Sequence, residues 1–330
     1  MHKKRMIVLA AVCVMAVLAG CSGKRVDANH VRLVLDWTPN TNHTGLYAAL
    51  EKGWFADEGL SVQILQPPED GALALLGSGN VEFAIDFQET MGPAIAQKRD
   101  ALPIQAVAAI ISHNTSGIMS LTKTGIRRPG DLAGKRFASW ETPLVTAIIQ
   151  DIVESDGGDF NAVTMIPNFA TDAFSALATD IDAIWVYYAW DGIAAEVNGI
   201  AVDYLDLGSL NPLFDFYTPV IAANTNWLKA NPEAAKKFLR AADKGYRFAM
   251  DNPAQAAEIL LKHAPELDRS LVMRSQDYLA SRYRGDSPRW GEIDPQRWGN
   301  FYRWMYERGL LEVNIGTGGF TNEYLSGSGE

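Results

Sequence analysis

Short β-like runs alternate with helical patterns along most of this 330-residue chain, and that alternation restricts its fold more than any other feature. Val31–Leu35, Ser61–Leu65, Phe83–Ile85 and Ile104–Ile111 are apolar runs of strand length, and Thr44–Glu58, Asp70–Gly77 and Gln88–Lys98 between them have helical spacing. A second series starts near Ser116, with strand-like runs at Ile118–Thr122, Phe137–Ser139, Val163–Ile166 and Ala183–Val186. Thr142 is placed to cap a helix with Pro143 at its first position, and Leu144, Ile148 and Ile152 follow at helical spacing. A further helical pattern spans Asp172–Ala178. From Trp227 the chain becomes helical, with Asn231-Pro232-Glu233 and Asn252-Pro253 as starts and further helices over Asp268–Ala280 and Asp294–Arg308. Strands alternating with helices imply an α/β fold of mostly parallel sheets with helices on both faces. A body of about 310 residues exceeds one typical domain, so two lobes are expected.

The N-terminal residues do not belong to that body. Lys3, Lys4 and Arg5 precede an apolar run from Met6 to Leu18, too short for an ordinary membrane span. The run ends in Leu18-Ala19-Gly20-Cys21, which resembles the bacterial lipoprotein signal. Residues 1–20 are therefore expected to be a signal peptide, Cys21 the lipidated first residue, and 21–29 a polar tether. Cys13 lies inside the signal, so the body has no cysteine for a disulfide or a thiolate metal site. The formal charge of −10 becomes more negative once the signal's basic residues are removed, which argues against nucleic acid and against an electrostatic grip on anionic lipid.

The segment Asp36-Trp37-Thr38-Pro39-Asn40-Thr41-Asn42-His43-Thr44-Gly45-Leu46-Tyr47 joins the first strand to the first helix. The C-terminal end of a strand is where open α/β sheets bind ligands. This corner offers an indole, amides, an imidazole and hydroxyls without an obvious nucleophile. There is no G-x-S-x-G elbow and no H-E-x-x-H pair, and one of the five histidines lies in the signal, so little equipment for hydrolysis remains. No cofactor is called for. No metal is either, since His43 has no second histidine at ligand spacing.

Several strings together resemble the solute-binding proteins of bacterial ABC importers: Gly53-Trp54-Phe55-Ala56-Asp57-Glu58-Gly59-Leu60, Asp131-Leu132-Ala133-Gly134-Lys135, Asn231-Pro232-Glu233 and Asn252-Pro253. The 36–45 loop is similar to that of the binding proteins for thiamine-pyrimidine precursors, which sit beside nitrate, sulfonate and riboflavin binders in one superfamily. The resemblance implies a two-lobed periplasmic-binding-protein fold of type II with two hinge crossovers. One lobe would be formed by 30–115 plus 221–330 and the other by 116–220. It implies a monomer that closes on a small aromatic heterocycle and delivers it to a membrane permease and ATPase. An aminopyrimidine thiamine precursor is the expected ligand, with riboflavin or another flat heterocycle as the alternative. The same superfamily holds an enzyme that makes the pyrimidine from its own histidine with a cysteine-rich iron site. The cysteine-free body departs from that pattern.

An aminopyrimidine needs apolar walls for its faces and acceptors or donors for its edge. Trp37 is a stacking candidate or a core residue. Asn40 would bond the ligand or hold the turn. His43 would face the ligand or cap the following helix, and Tyr47 would face the ligand or the core. Asp86 and Glu89, at the next strand-to-helix corner, are edge acceptors or acids favoured by the helix dipole. Ser116 at the first crossover is a contact or only a hinge. From the facing lobe come Trp140 and Glu141, an aromatic wall and an acid where an anion binder would want free N–H groups. Strand alternation divides Trp185, Tyr187 and Ala189 from Val186, Tyr188 and Trp190. One set would wall the cleft, leaving Tyr187, Tyr188 and Trp190 as candidates. Glu196 would follow as a carboxylate partner or stay on the surface.

Overall fold

A computed structural model of the protein describes residues 28–69, 71–140, 142–167 and 172–327. The signal segment and Cys21 lie outside these residues, as does Glu141. Among the described residues ten strands form two five-stranded sheets. The first holds β1 (His30–Val34), β2 (Ser61–Leu65), β3 (Phe83–Asp86), β4 (Ile104–Ala109) and β10 (Val220–Asn224), in the order β2-β1-β3-β10-β4. The second holds β5 (Ser116–Leu121), β6 (Arg136–Ser139), β7 (Thr164–Pro167), β8 (Ala183–Tyr187) and β9 (Val202–Asp206), in the order β7-β6-β8-β5-β9. The fold is thus two α/β lobes with helices on both faces of each sheet. The strands β9 and β10 add to those expected from the sequence. Among the described residues no helix is long and apolar enough to cross a membrane.

In each sheet four strands point one way and one is reversed: β10 pairs antiparallel with β3 and β4, and β5 pairs antiparallel with β8 and β9. The reversed strands are those entered directly after the chain passes between sheets. The chain leaves β4 and β9 at their C-terminal ends and reaches the other sheet at the same kind of edge. A strand entered from that edge must run against its neighbours. Both passages and the C-terminal ends of β1, β3, β6 and β8 therefore share one side of the sheets.

The two passages are tied together. The Asp215 carboxylate accepts from the Asn114 N–H (2.8 Å), contacts His113 Nδ1 (2.6 Å) and accepts from Arg297 Nη1 (2.9 Å). His113 reaches Asp286 through Nε2 (2.8 Å). These acids raise the His113 pKa above its ordinary value, Asp215 most of all.

Strand alternation sorts the core. Leu33, Leu35, Phe83 and Ile85 face the long helix Pro232–Asp251, where Phe83 stacks on Phe238 at 4.1 Å. Val34, Ala84, Ala106 and Ala222 face a cluster that includes Trp298, Phe301 and Tyr302 and continues into Ile118, Phe137 and Trp185 of the second lobe. Met119, Ala138, Ile184 and Val186 pack on that lobe's outer face. The helix expected over Thr44–Glu58 is two, Thr44–Glu51 and Trp54–Asp57, because the chain turns at Gly53 with φ +76°.

Helix Thr44–Glu51, which leaves the 36–47 loop, crosses Pro232–Asp251 at two glycines. A Cβ on Gly245 would lie 1.9 Å from the Gly45 carbonyl oxygen, and one on Gly45 would lie 2.3 Å from the Tyr246 ring. Tyr246 cannot yield, being stacked on Trp290 at 4.3 Å. Gly245→Ala is expected to destabilise the protein by about 1–3 kcal/mol through overpacking, read as a lower urea midpoint at unchanged m-value.

Candidate functional site

A cavity of about 850 Å³ opens where the two sets of strand ends face each other. From the first lobe it is lined by Asp36, Trp37, Asn40, Phe87 and Glu89, and from the second by Ser139, Trp140, Tyr187, Trp190 and Asp191. Thr115, Thr218 and Pro219 of the two passages form its back.

The loop after β1 is built from its own side chains. Asn40 Oδ1 accepts from the Asn42 N–H (2.9 Å) and Asn40 Nδ2 donates to the Thr38 carbonyl (3.1 Å). The Asn40 N–H donates to His43 Nδ1 (3.2 Å), which leaves the proton on Nε2 to be donated to Asp36 Oδ1 (2.6 Å). His43 is fully buried and is absent from the cavity lining. It braces the loop from beneath. Trp37 is 38% exposed and stands in the cavity. Tyr47 is buried against His263, ring centroids 5.1 Å apart, away from the cavity.

The corner after β3 carries two unusual acids. Asp86 Oδ1 accepts from the Phe87 N–H (2.7 Å) and from the Thr90 hydroxyl, so Asp86 caps its own turn behind the lining. Burial pushes its pKa up to about 7. Glu89 lines the cavity; its Oε1 accepts a long bond from Thr218 Oγ1 (3.4 Å), and its buried Oε2 has no protein partner. Burial, assisted by the Asp86 charge, raises the Glu89 pKa to about 8. At neutral pH this carboxyl holds its proton. Asp191, which accepts from the Tyr187 N–H (3.3 Å), is raised to about 6, again chiefly by burial.

The facing lobe supplies aromatic surface. Trp140 is 41% exposed, and its ring lies 6.3 Å from Tyr187. Tyr187 stacks across the lobes on Phe87 at 6.1 Å and 21°. Strand alternation separates Tyr187 from Trp190, yet both line the cavity. The strand ends at Tyr187 and the chain enters a wide π-type turn over Tyr188–Gly192, which swings Trp190 round. Tyr188 is carried away from the cleft. Its hydroxyl donates to Glu196 Oε1 (2.7 Å), and its ring packs on Tyr204 and Tyr278. Glu196 also accepts from Arg274 Nη2 (3.0 Å), so its carboxylate joins the lobes outside the cavity. Ser116 is fully buried, its N–H held by Asn114 Oδ1 (2.7 Å), and it sits behind Thr115.

Of the candidates read from the sequence, Trp37, Asn40, Glu89, Trp140, Tyr187 and Trp190 come together on the cavity, while His43, Tyr47, Asp86, Ser116, Tyr188 and Glu196 lie off it. Sequence reasoning missed Asp36, Phe87, Thr115, Ser139, Asp191 and Thr218. Asp36, Phe87, Ser139 and Asp191 stand at or just beyond strand ends already singled out, so position alone was their signal. Among the described lining residues are three acids, Asp36, Glu89 and Asp191, and no Lys, Arg or His.

The family described as "NMT1/THI5 like" matches residues 40–256. This chain belongs to the NMT1/THI5-like family. Within it, the chain is 28% identical over 296 residues to the formylaminopyrimidine-binding protein of Halalkalibacterium halodurans, covering 86% of this chain and 87% of that protein. It is 25% identical over 255 residues to a 4-amino-5-hydroxymethyl-2-methylpyrimidine phosphate synthase of Legionella pneumophila, covering 74% and 77%. This NMT1/THI5-like chain shares its fold with the alkanesulfonate-binding protein SsuA of Xanthomonas axonopodis pv. citri, solved with bound MOPS. There the TM-score is 0.67 at 15% identity, over 89% of this chain and 98% of that one.

Two outcomes follow from the site's geometry. Trp37→Ala removes an exposed ring and should change stability by less than about 0.5 kcal/mol, whereas Tyr47→Ala should cost about 3 kcal/mol; paired urea titrations measure both. Glu89 has a folded-state pKa above its ordinary 4.5. Its contribution to stability is thus fully present below pH 4.5 and is lost as the pH rises through about 8. Glu89→Gln should flatten the fall of Tm between those limits and raise Tm at the alkaline end, read by calorimetry.

Proposed function

We propose that this protein is an extracytoplasmic solute-binding protein of an ABC importer and that its cleft captures an aminopyrimidine thiamine precursor. The observation that carries the reading is the cavity's composition: aromatic walls, three carboxyl groups and no cation among its described lining residues. A flat heterocycle slides between aromatic faces such as Trp37, Trp140 and Tyr187. A protonated Glu89 suits the ring's edge, since its O–H donates to a ring nitrogen while its carbonyl oxygen accepts from the neighbouring exocyclic amine. Such two-point pairing would satisfy the orphaned Oε2. The pyrimidine-binding relative supports this ligand class. The sulfonate-binding structures have the same fold, but a sulfonate would meet like charge and no counter-charge here.

The two passages 110–115 and 207–219 serve as the hinge in this reading, with lobe one as 30–115 plus 221–330 and lobe two as 116–220. Ligand bridges strand ends from both lobes and favours the closed form, which a permease and ATPase then accept. Lipidation at Cys21 holds the body at the membrane surface.

The synthase-named relatives favour a second reading, an enzyme that forms the pyrimidine phosphate. The cleft argues against it. A phosphate needs cationic or N–H partners, and an enzyme that consumes its own histidine needs one in the site; among the described lining residues there is neither a cation nor a histidine.

The test uses the lipid-free body with 4-amino-5-hydroxymethyl-2-methylpyrimidine, its formylamino counterpart, its phosphate ester, riboflavin and MOPS. Calorimetry and tryptophan quenching should give tightest binding for an unphosphorylated pyrimidine, at about 1 μM or below. The phosphate ester should bind at least tenfold more weakly, and Trp37→Ala and Glu89→Gln should each weaken binding by about tenfold or more. Stabilisation by MOPS alone, or turnover of any of these compounds, would sink the reading.

A further inference from the structure

The cavity is larger than an aminopyrimidine needs. A dry cavity of about 150 Å³ is enough for a benzene ring, whereas this one measures about 850 Å³. The surplus has a distinct chemistry. Beyond the strand ends, the lining continues onto three helices: Pro93 of Gln88–Ile95, Leu144, Val145 and Ile148 of Pro143–Ser155, and Met305 with Leu310 at the end of Pro295–Glu307. None of these six side chains can donate or accept a hydrogen bond, apart from the weak thioether acceptor of Met305. Glu89, Thr90 and Thr142 are the polar members of the lining on the same helix starts, and both threonines are exposed.

Pro93 stands one helical turn beyond Glu89, so this apolar region opens directly from the carboxyl assigned to the pyrimidine edge. It is also a joint between lobes. The Asp151 carboxylate, on the same helix as Leu144 and Ile148, accepts from Arg308 and from Trp304 Nε1 (3.4 Å). That contact holds the end of Pro295–Glu307 against Pro143–Ser155 and engages the Arg308 guanidinium. Val145, Ile148 and Met305 are buried, and Pro93, Leu144 and Leu310 keep some exposure. An apolar group placed there would touch helices of both lobes and strengthen closure.

We propose that this region is a second subsite, which takes an uncharged apolar substituent, alkyl or aryl, carried by the pyrimidine. This rests on the pyrimidine reading above and widens its ligand class. Filling the region covers the surface that Pro93, Leu144 and Leu310 leave exposed, which favours binding in proportion to the apolar area removed from water. A permanently charged substituent would gain nothing from these walls.

The test compares 4-amino-5-hydroxymethyl-2-methylpyrimidine with its benzyl ether by calorimetry on the lipid-free body. The benzyl ether should bind at least tenfold more tightly and with a more negative heat-capacity change. Leu144→Trp narrows the region from a partly exposed position and should weaken the benzyl ether at least fivefold more than the parent alcohol. Ile148→Ala widens it and should shift preference toward a bulkier naphthylmethyl ether. Should the alcohol bind while the benzyl ether binds equally or worse, with neither variant changing the ratio, the subsite is overturned and the pyrimidine reading stands. If neither compound binds, the pyrimidine reading fails and the subsite falls with it.

Discussion

Both passages of the chain between lobes run along the cleft edge of the sheets, and the site depends on that constraint. It reverses β5 and β10, brings the ends of β1, β3, β6 and β8 into opposition, and places Thr115, Thr218 and Pro219 at the back of the cavity. In the proposed hinge motion, a ligand held at the strand ends would rest on the same segments that twist. The Asp215 contacts with His113, Asn114 and Arg297 join the passages into one unit.

Within that frame, the electrostatics of the cleft follows from burial. Burial disfavours the charge of Asp86 and Glu89, and a neighbouring acid adds to the upward shift in each case, Asp36 for Asp86 and Asp86 for Glu89. A cleft that keeps Glu89 protonated has an edge donor beside an acceptor, a pair that suits a nitrogen heterocycle, and offers an anion no counter-charge among its described lining residues. Shape alone, shared with proteins that hold sulfonates, does not separate these cases.

Much of this was legible in the sequence. Alternation gave the two series of strands, and the 36–47 loop stood out because turn formers and an indole sat where a strand met a helix. Trp37 and Trp140 could be chosen because each follows a strand and precedes a helix start. The rest depended on partners that periodicity does not name, some close by and some distant along the chain. His43 is consumed by a bond to Asp36, Tyr47 by His263, and Glu196 by Arg274, 78 residues later. The π-type turn after Tyr187 cancels the alternation that sorted the aromatics. Phe87 and Asp191 gain meaning only when two lobes face each other. Periodicity reports one element at a time and carries no information about such meetings.

The position of β10 has a consequence for the order in which the chain can assemble. It lies between β3 and β4 and, among the described strands, is the only neighbour of β4. The strands of the second sheet all come from residues 116–206, so that sheet can close on its own contiguous stretch. The first sheet keeps an open edge at β3 until Val220–Asn224 arrives, more than a hundred residues after β4. Closing so long a loop is slow, and an unpaired inner strand is prone to wrong partners meanwhile. The lobe that begins first along the chain therefore finishes last. Arrival of β10 brings Thr218 and Pro219 into position, so the cavity's back wall and the first sheet are completed in one event.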